Sequence, residues 1–340
     1  VSMEAADLAA CRAAIRTGSY SFHAASRLLP RRVRDPAMAL YAFCRLADDA
    51  VDLTAAKPAA VLALRDRLDL AYAGRPRDTA ADRAFAAVIR AYDMPRALPD
   101  ALLEGLAWDA EGRRCATLSE LRAYAARVAA AVGAMMCVLM RVRDPNVLAR
   151  ACDLGVAMQL TNIARDVGED AAAGRLYLPL DWLAEAGVEP EAFLADPRPT
   201  PGIRRVTSRL LAEARRLYLR SEAGVAGLPA DCRPGILAAR HIYARIGRNV
   251  ARAGHDSVTR RAHTGKAEKL GLLALSAAQA GGLSLWPRSA VLYARPLPET
   301  AFLVEAAARG RAGAPPDAGR AAALISVLAA LEERDRAATG

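Results

Sequence analysis

Apolar residues recur at three- and four-residue spacing along almost the whole chain, the period of helices that bury one face. Proline and glycine punctuate the pattern, and β-branched runs are scarce. The spacing predicts helices over about 4–16, 20–29, 36–53, 58–73, 80–92, 97–112, 118–142, 146–169, 200–224 and 232–253. Residues 174–200 hold Gly, Pro and Asp clusters and read as a long loop with short helical turns. Residues 252–269 are polar and basic and read as a connection. From about Lys266 the chain is Ala-rich, with weaker helices near 297–308 and 318–335. No repeat of fixed period and no low-complexity linker interrupts this. The expected fold is all-α: one helical domain over 1–265 and a C-terminal helical extension over 266–340.

Composition agrees. Hydrophobic residues make up 54% of the 340, enough for a sizeable core, and 25% charged residues argue against disorder. The longest apolar run, Val128 to Met140, is shorter than the roughly 20 residues that span a bilayer. Leu270 to Trp286 is longer, but Ser276, Gln279, Gly281, Gly282 and Ser284 interrupt it, so it reads as a buried or interfacial helix. Val1 to Leu8 carries Glu4 and Asp7 and has no apolar core, so no signal peptide is expected. The six cysteines form no CxxC pair and sit mostly in apolar helical stretches, as buried thiols in a reducing, cytoplasmic compartment would.

The net charge of +10 and pI of 9.7 admit nucleic acid, an anionic membrane surface or a polyanionic small substrate as partners. No Lys/Arg run is interleaved with aromatics for base stacking, so nucleic acid is not expected. A peripheral contact at the inner membrane remains open.

Two constellations carry chemistry. In Tyr41-Ala-Phe-Cys-Arg-Leu-Ala-Asp-Asp-Ala-Val-Asp52, Asp48 and Asp52 stack on one helix face with Asp49 beside them, and Arg45 and Tyr41 continue that face. Like charges at this spacing destabilise a bare helix, and a divalent cation would offset that. The alternative is a solvated acidic helix end, against which Leu40, Phe43, Leu46, Ala47 and Val51 speak. In Gln159-Leu-Thr-Asn-Ile-Ala-Arg-Asp-Val-Gly-Glu-Asp170, the residues Gln159, Asn162, Asp166 and Asp170 form a polar stripe in an apolar helix, costly unless partnered. Arg165 and Glu169 lie off the stripe, to ion-pair or face phosphate. An all-oxygen set suits Mg²⁺, with Mn²⁺ as the alternative. No EF-hand loop favours calcium, and no Cys or His enters either cluster to favour zinc.

YAFCRLADDAVD and QLTNIARDVGEDAAAGRLYLP resemble the two aspartate-rich signatures of the squalene and phytoene synthases. The resemblance covers roughly Tyr20 to Ala253 and takes in SYSFHAASRLLP, AYAARVAAAVG and HIYARIG. It implies an isoprenoid-synthase-type bundle around a central cavity, in which a magnesium cluster holds two diphosphates. Asp48, Asp49 and Asp52, and Asn162, Asp166 and Asp170, would be the metal ligands. Ser19, Ser21, Arg45, Arg165 and Arg175 would contact or support diphosphate, with Gln159 and the opening-segment residues Tyr20 and Phe22 beside them. Tyr41, Tyr124, Tyr177 and Tyr243 match cavity-lining tyrosines, although a core role is open for each. The expected catalytic set is Asp48, Asp52, Asp166, Asp170, Tyr41, Arg45 and Tyr243.

The implied reaction is the head-to-head (1′–1) condensation of two geranylgeranyl diphosphates, with no NADPH. Phe22, Tyr41, Tyr243 and Trp108 are candidates to face its cations. The rival within the family is a squalene or presqualene diphosphate synthase acting on farnesyl diphosphate. Outside it stand a terpene cyclase and a non-enzymatic assembly subunit. The histidines and Trp182 read as surface, hydrogen-bonding or packing positions, and the pairs Arg204-Arg205 and Arg260-Arg261 as solvated, with contact to anionic lipid as their alternative.

Overall fold

A computed structural model describes residues 3–18, 20–52, 57–283 and 289–309. The first group of helices is α1 (Ala5–Gly18), α2 (Tyr20–Ser26), α3 (Arg31–Asp52), α4 (Lys57–Tyr72), α5 (Ala80–Tyr92) and α6 (Ala97–Ala110). At the centre lie α7 (Leu118–Ala125), a π-helical turn (Ala126–Ala130), α8 (Ala131–Leu139) and α9 (Pro145–Arg165). Three short helices follow: α10 (Val167–Ala172), α11 (Leu180–Glu185) and α12 (Pro190–Ala195). The long α13 (Pro201–Val225) and α14 (Arg233–Arg252), then α15 (Lys266–Gly282) and α16 (Ala301–Arg309), complete the order. No strand occurs among the described residues, and the fold is the expected all-α bundle.

Local chemistry sets several boundaries. Asp144 caps α9 by accepting from the backbone N–H groups of Asn146 (2.7 Å) and Val147, ahead of Pro145 in the first turn. Thr200 and Pro201 begin α13 in the same way. The periodicity starts a helix at Pro36, but α3 begins a turn earlier and runs through that proline. Pro36 cannot donate to the Arg32 carbonyl four residues back. The Tyr92 hydroxyl donates to that carbonyl instead, at 2.8 Å.

The predicted helix 118–142 is interrupted by the π turn, where α9 crosses. A Cβ on Gly155 would lie 2.6 Å from Ala130 Cα, and one on Gly133 would lie 2.9 Å from the Ala151 carbonyl oxygen. Backbone therefore meets backbone at both crossings. The helical stretch Leu118–Leu139 has the length and apolarity of a membrane span, but 56% of its apolar 18-residue window is buried inside the bundle.

The core is one continuous cluster reaching from α1 to α16, with Phe43 and Phe85 stacked at 4.2 Å between α3 and α5. Residues 289–309 are fastened to it by arginines. Buried Arg150 pairs with buried Asp153 at 2.8 Å and donates to the Val291 carbonyl, while Arg143 donates to the Ala307 carbonyl. The segment expected to be buried or interfacial, α15, packs on α14 through Leu272, Ser276 and Ala280, and leaves Leu270 and Leu275 exposed. The predicted helix 318–335 lies outside the described residues. All six cysteines are free thiols, five of them buried.

Candidate active site

The second acidic motif sits where α9 ends. Asp166 leaves helical geometry (φ −104°, ψ 15°), so the expected straight stripe bends there and α10 sets off at a new angle. The i to i+4 bonds survive the bend: Asp166 N–H reaches the Asn162 carbonyl at 2.9 Å, and Asp170 N–H reaches that of Asp166 at 2.8 Å. Gln159 and Asn162 are half-buried on the last turns of α9.

Asp166 is held by two guanidiniums. Arg165 folds back onto it in a fork, Nε to Oδ1 at 2.7 Å and a terminal nitrogen to Oδ2 at 2.5 Å. Arg261, expected to be solvated, approaches the same oxygens at 2.9 and 3.4 Å and lies 3.2 Å from Glu169. Burial pushes the Asp166 carboxyl up, but the hydrogen bonds from Arg165 and Arg261 outweigh it and hold the group below its ordinary range. Asp170 behaves oppositely. Burial, opposed by Arg175 and reinforced by Asp166 and Asp109, pushes it up to about 6. Arg175 reaches its Oδ1 at 3.3 Å.

The first motif lies on α3. Arg45 pairs with Asp49 at 2.6 Å. Asp48 and Asp52 belong to α3, Ser21 to α2, and their side chains, like Ser19, lie outside the described residues. An aromatic group links the two motifs. Phe22 on α2 packs 6.4 Å from Tyr41 and 5.4 Å from Tyr243, ring centre to ring centre. Tyr243 lies next to Asn162, Arg165 and Asp166, and burial pushes its hydroxyl up to about 12. Ring faces from α2, α3 and α14 thus border the acidic end of α9.

A second group lies within electrostatic reach of Asp170. Tyr124 and Tyr177 stack at 5.2 Å, and their hydroxyls donate to the two oxygens of Asp109 at 2.9 and 2.8 Å. Burial and the Asp109 charge raise both phenols, so both stay neutral donors. The helical pattern does not single out Asp109. Its one signal is a lone carboxylate closing the apolar helix that ends Gly-Leu-Ala-Trp-Asp-Ala. Trp108, a candidate to face a cation, already carries the guanidiniums of Arg113 at 3.9 Å and Arg127 at 4.3 Å on its ring, which makes it a packing residue. Arg204 is likewise engaged, pairing with Asp256 at 3.0 Å.

The donor set fits a hard divalent cation. Asn162 Oδ1 is buried and has no hydrogen-bond partner among the described residues, an acceptor that costs free energy until something positive meets it. Asp166 and Asp170 add carboxylates. Among the described residues no three acidic, His or Cys side chains converge on one point. Mg²⁺ takes oxygen ligands of this kind and completes its shell with water and substrate phosphate. A surface hollow of about 400 Å³ between α1, the end of α4 and α5 contains none of the motif residues.

An all-α bundle with an oxygen-rich, arginine-flanked motif beside an aromatic wall defines a helical enzyme of the kind that handles allylic diphosphates. The chain belongs to the squalene/phytoene synthase family, whose profile matches residues 15–268. It is 65% identical to a phytoene synthase of Cereibacter sphaeroides, over 97% of this chain and 95% of that one. It is 64% identical to a phytoene synthase of Rhodobacter capsulatus, over 97% of each. Among solved structures, a dehydrosqualene synthase in complex with ligand superposes with a TM-score of 0.76 at 30% identity, covering 82% of this chain and 97% of that one. A squalene synthase of Alicyclobacillus acidocaldarius follows with a TM-score of 0.68 at 26% identity, covering 74% and 95%.

Proposed function

We propose that the protein is a phytoene synthase: a prenyltransferase that condenses two geranylgeranyl diphosphates head to head, through prephytoene diphosphate, to phytoene for carotenoid synthesis. The observation that carries this is the end of α9, where an orphaned Asn162 oxygen, Asp166 and Asp170 lie beside the Phe22–Tyr41–Tyr243 aromatics. Near full-length identity to named phytoene synthases supports the choice over the farnesyl-using branch.

Asn162, Asp166 and Asp170, with Asp48, Asp49 and Asp52 of the first motif, would hold Mg²⁺. The ion supplies charge neutralisation for the departing diphosphate. Arg45, Arg165 and Arg175, with Ser19, Ser21 and Gln159, bind and orient the diphosphate oxygens. Loss of the first diphosphate leaves an allylic cation, which the double bond of the second substrate attacks. A proton then leaves, closing the cyclopropane of prephytoene diphosphate. Loss of the second diphosphate, rearrangement and loss of another proton give the hydrocarbon. Phe22, Tyr41 and Tyr243 present ring faces to the cations and keep water away. Tyr124 and Tyr177, bound through their hydroxyls to Asp109, hold the chain that follows the second motif in place beside Asp170.

The apolar product needs an apolar sink. The exposed Leu270 and Leu275 of α15, with the exposed Lys266 before them, offer apolar and basic groups to a peripheral contact with an anionic bilayer. Flotation with anionic vesicles, lost in a Leu270→Gln/Leu275→Gln variant, tests that contact.

The activity itself is tested by supplying geranylgeranyl and farnesyl diphosphate separately with Mg²⁺ and without NADPH. A doubled hydrocarbon from the longer substrate is expected. Squalene formed only when NADPH is added would assign the protein to the other branch.

A further inference from the structure

We propose that residues 254–265 form a fixed strap that delivers Arg261 to the second acidic motif as a resident cation, which a divalent metal must displace before the motif can act. The inference rests on the reading of that motif as a metal site.

The strap is built rather than draped. It opens with two residues in the left-handed region, Gly254 (φ 66°) and His255 (φ 59°), which reverse the chain at the end of α14. Asp256 then ties the turn by accepting from the backbone N–H groups of Val258 (3.1 Å) and Thr259 (3.0 Å) and from the Thr259 hydroxyl (2.8 Å). Arg204 of α13 holds the same carboxylate at 3.0 Å. The other end is caught where Asn249 donates to the His263 carbonyl at 3.0 Å.

Between these anchors the strap lies directly on the acidic motif. Gly168 N–H donates to the Ser257 carbonyl at 2.9 Å. A Cβ on Gly168 would lie 2.4 Å from the Val258 carbonyl oxygen and 2.8 Å from its Cα, both backbone atoms that cannot swing aside. The glycine inside QLTNIARDVGED is thus a docking position for the strap.

The consequence falls on Asp166. Both its oxygens are taken by guanidiniums, from Arg165 and from Arg261. A small cation needs those lone pairs directly, so one guanidinium has to leave. Arg165 is the more buried (17% side-chain exposure), and Arg261 the more open (52%). Arg261 is therefore the group that yields, and its strap keeps it beside the metal. There the planar fork matches the oxygens of an incoming diphosphate. Metal loading and diphosphate capture are coupled through one side chain.

The test is Mn²⁺ binding to the full chain without substrate, read by the loss of the free-ion paramagnetic resonance signal. In Arg261→Gln the dissociation constant for Mn²⁺ should fall by roughly fivefold, the equivalent of one partly exposed ion pair. The KM for geranylgeranyl diphosphate should rise in the same variant. Gly168→Ala, which lifts the strap, should reproduce the tighter Mn²⁺ binding. Unchanged or weaker Mn²⁺ binding in Arg261→Gln, with binding still abolished by Asp166→Asn, would overturn the strap and leave the metal site standing. Mn²⁺ binding indifferent to Asp166→Asn would remove the reading of the motif on which the strap depends.

Discussion

Tyr177 donates its hydroxyl to Asp109 at 2.8 Å across 68 positions of sequence, and so ties the loop after the second acidic motif to the end of α6. Tyr124 shares the same carboxylate from α7. Asp109→Asn keeps the shape but replaces the charged acceptor. A hydrogen bond to a charged group contributes about 1.5–3 kcal/mol. If the phenols must stay polarised during turnover, kcat should fall by about tenfold or more while KM and helicity change little. Steady-state kinetics beside far-ultraviolet circular dichroism checks this, and an unchanged kcat would make the trio a packing device.

Arg150 and Asp153 form a fully buried ion pair that holds the segment after residue 289 through the Val291 carbonyl. Burial weakens the charged form of each partner, raising Asp153 and lowering Arg150. Asp153→Ala leaves an unpaired guanidinium inside the protein and should cost about 3–5 kcal/mol in urea unfolding. The double change Arg150→Met/Asp153→Leu should cost less than the single one.

Gly155 sits where α9 crosses the π turn. Gly155→Ala forces backbone apart and should lower stability by about 1–3 kcal/mol. Gly271, on the outer face of α15, has open space around it: a methyl group there would meet nothing within 4 Å, so Gly271→Ala should be neutral or stabilising. The contrast in urea midpoints isolates close approach from helix propensity.

His241 Nδ1 lies 2.9 Å from the Ser276 hydroxyl and joins α14 to α15. Burial, then Arg240 and Arg248, hold its pKa below the ordinary 6.5, against the opposing pull of Glu222 and Gln279. The folded protein therefore favours the neutral ring. Its contribution is fully present above pH 6.5 and is lost as pH falls through that value toward the folded pKa. His241→Gln should flatten this acid-side slope, which is at most about 1.4 kcal/mol per pH unit for one proton. Urea unfolding on either side of pH 6.5 measures it.

Much of this was legible in the sequence, because helices and acidic motifs are local. The three-to-four spacing located the long helices, and the polar stripe from Gln159 to Asp170 marked the end of α9. Contacts between distant segments left no such trace. Nothing in the sequence singles out Asp109, which two tyrosines meet only in the fold, and Arg261 reads as solvated although the strap carries it to Asp166. The π turn was invisible for another reason. Residues 118–142 carry a helical pattern with no break at 126–130, and the turn lies where Gly155 of α9 comes against Ala129 and Ala130.

The decisive measurement is a crystal structure with Mn²⁺ and a non-ionising thiodiphosphate analogue, located by anomalous scattering. Manganese should appear bonded to Asn162 Oδ1 or the Asp166 and Asp170 carboxylates, with Arg261 moved from Asp166 onto the diphosphate. Manganese bound elsewhere, with Asp166 still held by both arginines, would contradict the proposed diphosphate chemistry of this site.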